Sequence, residues 1–239
     1  MRGDKCVLLI SGGMDSTVLL SDLRAQGRDV STISFNYGQR HARELQSLND
    51  VLDYYGIVER HKYVDLRPVG ELLNKGSLSG NDEVPHGMYN NEVMKSTIVP
   101  NRNMIMLSIA VGYAISIDAT SVYYAAHAGD HAIYPDCTEE FVKSLDTTVF
   151  IGNKWNEIEV RSPFVRIDKT ELVQLGMHNT APLELTWSCY EGKDRPCLKC
   201  GTCIERTEAF LLNDEVDPAL SDEEWKEATR LYSMYKAQE

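Results

Sequence analysis

Residues 6–20, CVLLISGGMDSTVLL, run from an apolar segment through Ser-Gly-Gly directly into a second, helix-like segment. Consecutive apolar residues followed by a glycine pair predict a buried strand over 6–10. The next segment predicts a helix from about Asp15 to Gln26, with Gly27 as its stop. A strand that enters a helix through such a turn is typical of an open parallel α/β sheet, and the turn lies at the edge where these sheets bind ligands.

The same alternation continues along the chain. Further strands are predicted at 29–37, 61–66, 121–126 and 157–164, and further helices at 41–56, 103–117, 138–150 and 168–176. In the last of these helices, Asp168 is the expected N-cap, Glu171 completes a capping box and Gly176 is the expected stop. Residues 67–100 are rich in loop-forming residues. The alternation predicts a doubly wound, five-stranded parallel sheet with helices on both faces.

The glycine pair in SGGMDS narrows the kind of ligand. Gly12 and Gly13 let the backbone approach a ligand closely, and the positive end of the following helix favours an anion such as phosphate. A Walker loop needs four residues between its glycines and then Lys, and a Rossmann loop needs G-x-G-x-x-G; this segment matches neither pattern. The alternative without a ligand is a tight turn in which Ser or Asp caps the helix.

The six residues resemble the SGGxDS loop of the PP-loop ATP pyrophosphatase superfamily, whose members cleave ATP between the α and β phosphates. The resemblance implies an adenine nucleotide alpha hydrolase-like fold in which this loop holds phosphates. It also implies that Asp15 binds Mg²⁺ or supports the loop, the alternative being a charge at a helix N-terminus. The nucleotide-binding residues that it assigns are Ser11, Gly12, Gly13, Met14, Asp15, Ser16 and Thr17.

Four of the six cysteines lie together with the spacing C-x7-C-x2-C-x2-C. They are Cys189, Cys197, Cys200 and Cys203. Four clustered thiolates suit a tetrahedral Zn²⁺ and leave no open position, so we expect one structural zinc per chain. An iron–sulfur cluster is the rival, but ferredoxin-type runs continue with a further Cys and then Pro, and Glu205 and Arg206 follow here. Four unliganded thiols are the remaining alternative. Cys6 and Cys137 are expected to be buried as small apolar side chains.

Composition limits the class of protein. The 239 residues, 43% of them hydrophobic, suffice for one large domain or one domain with an appendage. The net charge of −12 argues against a broad basic surface for nucleic acid. No apolar run approaches the roughly 18 residues of a membrane span, and the N-terminal sequence lacks the apolar core of a secretory signal. We expect a cytoplasmic protein without a membrane or nucleic-acid partner.

Six segments together resemble the 7-cyano-7-deazaguanine synthase family. They are SGGMDST (11–17), FNYGQRH (35–41), VPNRNMIMLS (99–108), AAHAGDHAIYPDC (125–137), SPFVRIDKTELVQLG (162–176) and TWSCYEGKDRPCLKCGTCIERTEAF (186–210). They occur in the family's order, whereas the match over 67–98 is weak. The resemblance implies a carbon–nitrogen ligase of queuosine biosynthesis. With ATP and Mg²⁺, it would convert 7-carboxy-7-deazaguanine and ammonia to 7-cyano-7-deazaguanine through adenylated acid and amide intermediates. It also implies a homodimer.

The cysteine cluster separates two parts of the chain. We expect residues 1–181 to form the PP-loop nucleotide-binding core. Residues 182–239 would form a zinc-binding loop and helices, packed as a C-terminal appendage of the same domain.

Transfer of an adenylyl group needs positive charge around the phosphates. The candidates are Arg40 and His41 after the second strand, Arg102 at the start of the apolar helix and Lys169 at the start of a later helix. Each is predicted near the ligand edge of the sheet. The alternative for His41 is a helix-start residue without a role in catalysis.

Polar residues after the fourth strand are candidates for substrate binding. A carboxylate of Asp130 or Asp136 can accept hydrogen bonds from a deazaguanine, and Tyr134 can stack on its ring. The alternative for Asp136 is a cap of the next helix, because it precedes Cys137 and Thr138 at the predicted helix start. A metal site at His127 and His131 is disfavoured because Gly129 between them indicates a loop.

The sequence alone leaves three alternative functions open. One keeps the PP-loop chemistry but stops at the amide or modifies tRNA, and a thiolating enzyme would need Cys137 as a reactive thiol. Another is a zinc-ribbon nucleic-acid-binding module with a vestigial loop. The third is a sensor that binds ATP without turnover.

Overall fold

The computed structural model describes residues 4–38, 42–73, 84–88, 95–130 and 134–238. Within them lies a five-stranded sheet in the order β3-β2-β1-β4-β5, with every pair of neighbours parallel. The strands are β1 (Lys5–Leu9), β2 (Asp29–Asn36), β3 (His61–Asp65), β4 (Ser121–Tyr123) and β5 (Glu159–Arg161). The predicted fold class, a five-stranded parallel α/β sheet, is confirmed.

Helices cover both faces of the sheet. They are α1 (Met14–Ala25), α2 (Ala42–Tyr55), α3 (Arg67–Gly70), α4 (Arg102–Ser116), α5 (Glu139–Gly152), α6 (Lys169–His178), α7 (Gly201–Leu212) and α8 (Asp222–Lys236). Leu8 packs in an apolar cluster with α1, α2 and α6, whereas its neighbour Val7 packs in a second cluster with α4 and α5. Burial of alternate residues on opposite faces explains why β1 is apolar from Cys6 to Leu9.

Several boundaries differ from the sequence expectation. Strands β4 and β5 have three residues each and are shorter than the predicted 121–126 and 157–164. The expectation that Gly176 stops its helix is wrong, since α6 continues to His178. A Cβ at Gly176 would lie 2.8 Å from Cγ2 of Val18, so this glycine allows α6 to pack closely on α1. The predicted Asp168–Glu171 capping box is confirmed.

Helix α4 carries partly buried apolar residues in addition to its fully buried ones. Among the described residues, one helical stretch, 95–116, is long and apolar enough to cross a membrane by length and composition, a test that core helices also pass. Its fully buried residues contact the sheet, and they are Leu107, Ala110, Val111 and Ala114. Packing on the sheet identifies α4 as a core helix, whose exposed residues are Met104, Ser108, Gly112 and Ser116.

The C-terminal part packs on the same core. Phe210 of α7 is 1% exposed and belongs to the cluster of α1 and α6. Helix α8 begins at an Ser221–Glu224 capping box and packs on α7. The chain beyond residue 182 is therefore continuous with the core through apolar contacts.

Candidate active site

The loop between β1 and α1 is built so that another helix packs directly on it. Gly12 has φ +91°, a backbone conformation that glycine adopts readily. A Cβ here would lie 2.4 Å from the carbonyl oxygen of Glu44 and 2.6 Å from the backbone nitrogen of Leu48. The missing side chain at Gly12 therefore lets α2 close one side of the loop.

Hydrogen bonds within the loop set the positions of its hydroxyls. Ser11 Oγ accepts from the Gly13 N–H at 3.1 Å, and the Ser11 N–H donates to Ser16 Oγ at 3.3 Å. Thr17 is fully buried, and its Oγ1 donates to the Gly13 carbonyl at 2.9 Å. Ser11 and Ser16 line a cavity, with Gly13, Met14 and Asp15. Thr17 instead stabilises the loop from behind, which differs from its predicted contact with phosphate.

The cavity has a volume of about 290 Å³ and opens at the carboxyl ends of three strands. Its walls include the loop after β1, residues 33–35 of β2 and residues 124–126 after β4. The chain moves outward from β1 to β3 and then returns to β4 on the other side of β1. Open α/β sheets bind ligands in the crevice at such a reversal of strand order.

Arg102 lines this cavity at the start of α4. Its Nη1 donates to the Tyr37 hydroxyl at 3.2 Å, and the guanidinium carbon lies 5.9 Å from the centroid of the Tyr37 ring. Burial alone would lower the pKa of the guanidinium, but Tyr37 holds it above its ordinary value. A buried, permanent positive charge beside an anion-binding loop can stabilise charge that develops on a phosphate.

Lys169, the first residue of α6, approaches the loop from another side. Its Nζ lies 2.7 Å from each carboxylate oxygen of Asp15 and donates a hydrogen bond to Oδ2. Burial alone would raise the pKa of Asp15, but Lys169 and His127 lower it below its ordinary value, so the group is a carboxylate. Asp15 Oδ1 is buried and accepts no hydrogen bond. Because Mg²⁺ in nucleotide sites takes one or two carboxylates, with phosphates and water, Asp15 fits as one protein ligand.

Other ionisable groups surround the Lys169 ammonium. Glu205 Oε2 lies 3.6 Å from Nζ, and His127 Nε2 lies 3.2 Å from it. His127 Nε2 is also 3.6 Å from Asp130 Oδ2. Burial alone would lower the pKa of Lys169, but Asp15, Glu205 and Asp130 raise it above its ordinary value. Burial raises the pKa of Glu205 against the opposing attraction of Lys169. Lys169 therefore remains protonated.

The two candidate substrate carboxylates occupy different places. Asp130 lines the cavity, as does Tyr134, whose hydroxyl is 2.6 Å from Thr97 Oγ1. Asp136 Oδ2 accepts from the Asn103 N–H at 3.3 Å, at the start of α4. Asp130 therefore lies at the cavity, and its substrate contact stays a prediction; Asp136 contacts the start of α4, whereas Thr138 caps α5.

Three residues named in the sequence analysis are Arg40, His41 and His131, and they lie outside the described residues. The structure therefore leaves the predicted role of Arg40 as it was. His127 is 2% exposed, and its Nδ1 accepts from the Gly129 N–H at 3.1 Å.

Glu44 was not singled out from the sequence. It lies in the first turn of α2 and lines the cavity beside the loop. Burial raises the pKa of its carboxyl to about 7, although a hydrogen bond with Ser11 and the charge of Arg102 act in the other direction. The contact arises from the packing of α2 on Gly12, a tertiary feature that a single glutamate in a helical pattern does not reveal.

The four clustered cysteines converge as the spacing predicted. Their sulfur atoms all lie within 4.8 Å of one another. Tetrahedral coordination with Zn–S bonds of about 2.3 Å needs sulfur atoms about 3.8 Å apart, which this arrangement allows. The N–H groups of Glu191 and Cys197 donate to Cys189 Sγ at 3.4 and 3.3 Å, and the Cys200 N–H donates to Cys197 Sγ at 3.3 Å. Backbone donors aimed at sulfur favour thiolates, so the cluster fits a metal ion.

The cysteine loop also forms a wall of the cavity. Trp187, Ser188, Cys189 and Tyr190 line it, and Thr202 completes this side. The Trp187 N–H donates to the Gly12 carbonyl at 3.1 Å, which joins the two loops directly. The cysteine loop is therefore part of the cavity wall. This contact could not be predicted from the sequence, because the cysteine loop is far from the glycine loop along the chain.

Arg206 anchors this wall from beneath. Its guanidinium pairs with Asp217 at 2.6 and 2.8 Å, and it donates to Thr186 Oγ1 at 2.7 Å and to the Leu183 carbonyl at 3.1 Å. The side chains of Arg206 and Asp217 are 7% and 1% exposed. A buried charge pair with all of these partners orders the segment that leads to the cysteine loop.

The chain is similar to known proteins over most of its length. The 7-cyano-7-deazaguanine synthase of Archaeoglobus fulgidus is 53% identical over 233 residues, which cover 98% of this chain and 97% of that protein. The synthase of Marinobacter nauticus is 46% identical over 215 residues, covering 90% and 96%. The solved NMN synthetase of Francisella tularensis is similar in fold, with a TM-score of 0.50 and 12% identity over 97% of this chain and 85% of that chain.

A family model extends this similarity across both motifs. It matches residues 5–214, from β1 to the turn after α7, and so includes the glycine loop, the cavity and the four cysteines. With most of the chain matched, the protein is a member of the queuosine biosynthesis protein QueC family.

Proposed function

We propose that this chain is an ATP-dependent carbon–nitrogen ligase that converts 7-carboxy-7-deazaguanine and ammonia to 7-cyano-7-deazaguanine. Its relatives are named for the product, 7-cyano-7-deazaguanine. The observation that carries it is the single cavity shared by the glycine loop, Arg102, Lys169 and Asp130. An anion-binding loop, two buried cations and a carboxylate in one space suit a nucleotide beside a polar heterocycle.

The chemistry uses one ATP site twice. A carboxylate oxygen of the substrate attacks the α-phosphorus of ATP, releases pyrophosphate and forms an acyl adenylate. Ammonia attacks the acyl carbon, loses a proton and displaces AMP, which gives the amide. The amide oxygen attacks a second ATP in the same way, and loss of AMP and of the remaining nitrogen protons gives the nitrile. Each carboxylate oxygen therefore leaves in one AMP.

The residues of the cavity have separable tasks in this scheme. The loop amides with Ser11 and Ser16 would hold the phosphates, and Asp15 would contribute one ligand to Mg²⁺, which supplies positive charge to the phosphates. Arg102 and Lys169 would stabilise charge on the transferring group. Asp130 would accept from the N–H groups of the deazaguanine.

We assign Zn²⁺ to the four cysteines because a closed set of four thiolates suits a structural zinc. Its task would be to order the wall from Trp187 to Tyr190. Metal analysis of the purified protein should find one zinc per chain, and an iron–sulfur absorbance in its place would reject zinc.

A thiolating enzyme is not favoured by the geometry. Cys137 does line the cavity, but burial and the nearby carboxylates of Asp130 and Asp136 raise its pKa well above its ordinary value. A neutral thiol is a poor nucleophile. The net charge of −12 likewise counts against a nucleic-acid-binding module.

We further propose a cytoplasmic homodimer. The free cysteines of the described residues suit a reducing compartment. Three large apolar side chains near the end of α5 are unusually exposed: Phe150 by 63%, Ile151 by 68% and Trp155 by 97%. Large apolar side chains exposed close together in the chain suit a contact with a second copy of the chain.

The decisive experiment is a reaction of the zinc-loaded protein with 7-carboxy-7-deazaguanine, ammonia and Mg-ATP, analysed by mass. We expect the nitrile with two AMP per molecule, and ¹⁸O from a labelled carboxylate in the AMP of both activations. Absence of both amide and nitrile would reject the function. Accumulation of the amide alone would favour the relative that stops there.

A further inference from the structure

The Lys169 ammonium is held by carboxylates from two distant parts of the chain. Asp15, at the glycine loop, lies 2.7 Å from Nζ, and Glu205, on α7, lies 3.6 Å from Nζ on another side. The Lys169 side chain is only 12% exposed. A lysine side chain has considerable rotamer entropy to lose, and two carboxylates hold it in place before any ligand binds.

Space for the Glu205 carboxylate is created by a glycine. A Cβ at Gly129 would lie 2.9 Å from Glu205 Oε1 and 2.9 Å from His127 Cε1. The Gly129 N–H donates to His127 Nδ1, and His127 Nε2 lies 3.2 Å from Lys169 Nζ and 3.6 and 4.0 Å from the carboxylates of Asp130 and Glu205. The loop after β4 is thus shaped to receive a carboxylate from α7.

Glu205 belongs to the same rigid element as two cysteines of the cluster. Cys200 is the N-cap of α7, and Cys203 lies in its first turn. Glu205 follows Cys203 closely in that helix, so its position depends on how the cysteine loop sets the start of α7. Cys203 and Glu205 share α7, and Glu205 forms an ion pair with Lys169. Lys169 in turn forms an ion pair with Asp15, so these contacts connect the cysteine loop to the glycine loop.

We propose that Glu205 is a positioning residue that sets the Lys169 ammonium beside the phosphate loop, with Gly129 and His127 shaping its seat. It thereby links the metal-binding loop to the nucleotide site. The assignment rests on the proposed function in taking ATP as the ligand of that loop. Without Glu205, Asp15 and His127 retain their contacts with the ammonium, but the carboxylate from α7 no longer restrains its approach to a phosphate.

The test compares variants of the full-length, metal-loaded protein. Glu205→Gln removes the charge and keeps the shape, Glu205→Asp restores the charge at a shorter reach, and Gly129→Ala fills the seat. Glu208→Gln on the same helix is the matched control, because its carboxylate contacts the Tyr232 hydroxyl at 2.8 Å rather than the site. The readouts are metal content, calorimetric affinity for a non-hydrolysable ATP analogue, and kcat and KM for ATP.

We expect Glu205→Gln to keep one metal per chain and to lower kcat about ten- to hundredfold, since a displaced catalytic group costs factors of this size. KM should change less than kcat, because the loss falls mainly on the transition state. Analogue affinity should fall severalfold. Glu205→Asp should recover part of both losses, Gly129→Ala should reproduce them, and Glu208→Gln should behave as the unmodified chain.

Three results would overturn the proposal. They are Glu205→Gln within twofold of the unmodified chain in kcat and affinity, losses that parallel loss of the metal, and equal losses in Glu208→Gln. Binding of the analogue does not depend on the identity of the acceptor substrate. An unmodified chain that binds the analogue but makes no nitrile would therefore reject the proposed function alone, and the Glu205 comparison would still stand on affinity. A chain that binds no nucleotide would overturn both.

Discussion

At the scale of single residues, the glycine loop between β1 and α1 depends on Gly12, a position where no side chain fits. Gly12 combines φ +91° with the close approach of the Glu44 carbonyl oxygen. Gly27 also has a positive φ, +76°, but a Cβ there would meet nothing within 4 Å. The two glycines therefore separate the cost of backbone conformation from the cost of a steric clash.

We predict that Gly12→Ala lowers the free energy of unfolding by about 2–4 kcal/mol, the sum of backbone strain and overpacking. Gly27→Ala should cost only about 1 kcal/mol, from the left-handed backbone alone. Urea denaturation of both variants measures the difference. Equal losses would show that the approach of α2 to the loop adds no constraint.

His61 offers a second prediction at this scale. Its Nδ1 and Nε2 each lie 2.9 Å from a hydroxyl of β2, those of Thr32 and Ser34, and burial lowers its pKa to about 4. A depressed histidine pKa means that the unfolded chain binds the proton more tightly, so stability is complete above about pH 6.5 and is lost as the pH falls toward 4.

We expect His61 to account for about 1–2 kcal/mol of that loss, after allowance for solvent screening. Urea unfolding at several pH values should show a smaller pH dependence in His61→Gln than in the unmodified chain. His178→Gln, at an exposed position, is the control. An unchanged pH dependence in His61→Gln would contradict the assignment.

At the scale of elements, Arg206 joins α7 to Asp217 in the loop that follows it and to Thr186 in the segment before the cysteine loop. The side chains of Arg206 and Asp217 are buried, and the guanidinium also bonds the Leu183 carbonyl. Removal of one member of a buried pair leaves the other charge without compensation. The exposed pair of Arg230 and Glu227, on α8, has similar geometry at 2.7 Å but remains in solvent.

We predict that Arg206→Ala lowers the free energy of unfolding by about 3–5 kcal/mol. Arg230→Ala should lower it by less than about 1 kcal/mol. Thermal or urea unfolding of the two variants provides the comparison. A similar small effect in both would mean that water replaces the lost partner of Asp217.

At the scale of the whole molecule, the exposed apolar side chains near the end of α5 bear on assembly. We predict a dimer in sedimentation velocity and a shift toward monomer in Ile151→Lys, because burying a lysine in an apolar contact is costly. Val58→Lys, at a residue 49% exposed in a different part of the surface, should leave the assembly unchanged. A monomer in the unmodified chain would reject the proposed dimer.

Much of the candidate site was predictable because its parts lie in short segments with characteristic chemistry. The SGGMDS loop and the four cysteines each carry their function in local spacing, and Arg102 and Lys169 begin helices at the ligand edge of the sheet. Such features depend on helix starts and strand ends, which periodicity and turn residues predict. The predicted phosphate contact of Thr17 and the predicted helix stop at Gly176 differ from the structure, because both features depend on what packs against these residues.

The sequence by itself determined the order of strands and helices, the α/β class and the two motifs, since these follow from periodicity and from residue spacing. Only the tertiary structure decided that the cysteine loop is a wall of the cavity and that Trp187 bonds the carbonyl of Gly12. It also decided that Glu44 of α2 lies beside the glycine loop and that Glu205 of α7 reaches Lys169, which pairs with Asp15. These contacts join residues far apart in the chain, and their formation depends on close packing between helices, which no local pattern specifies.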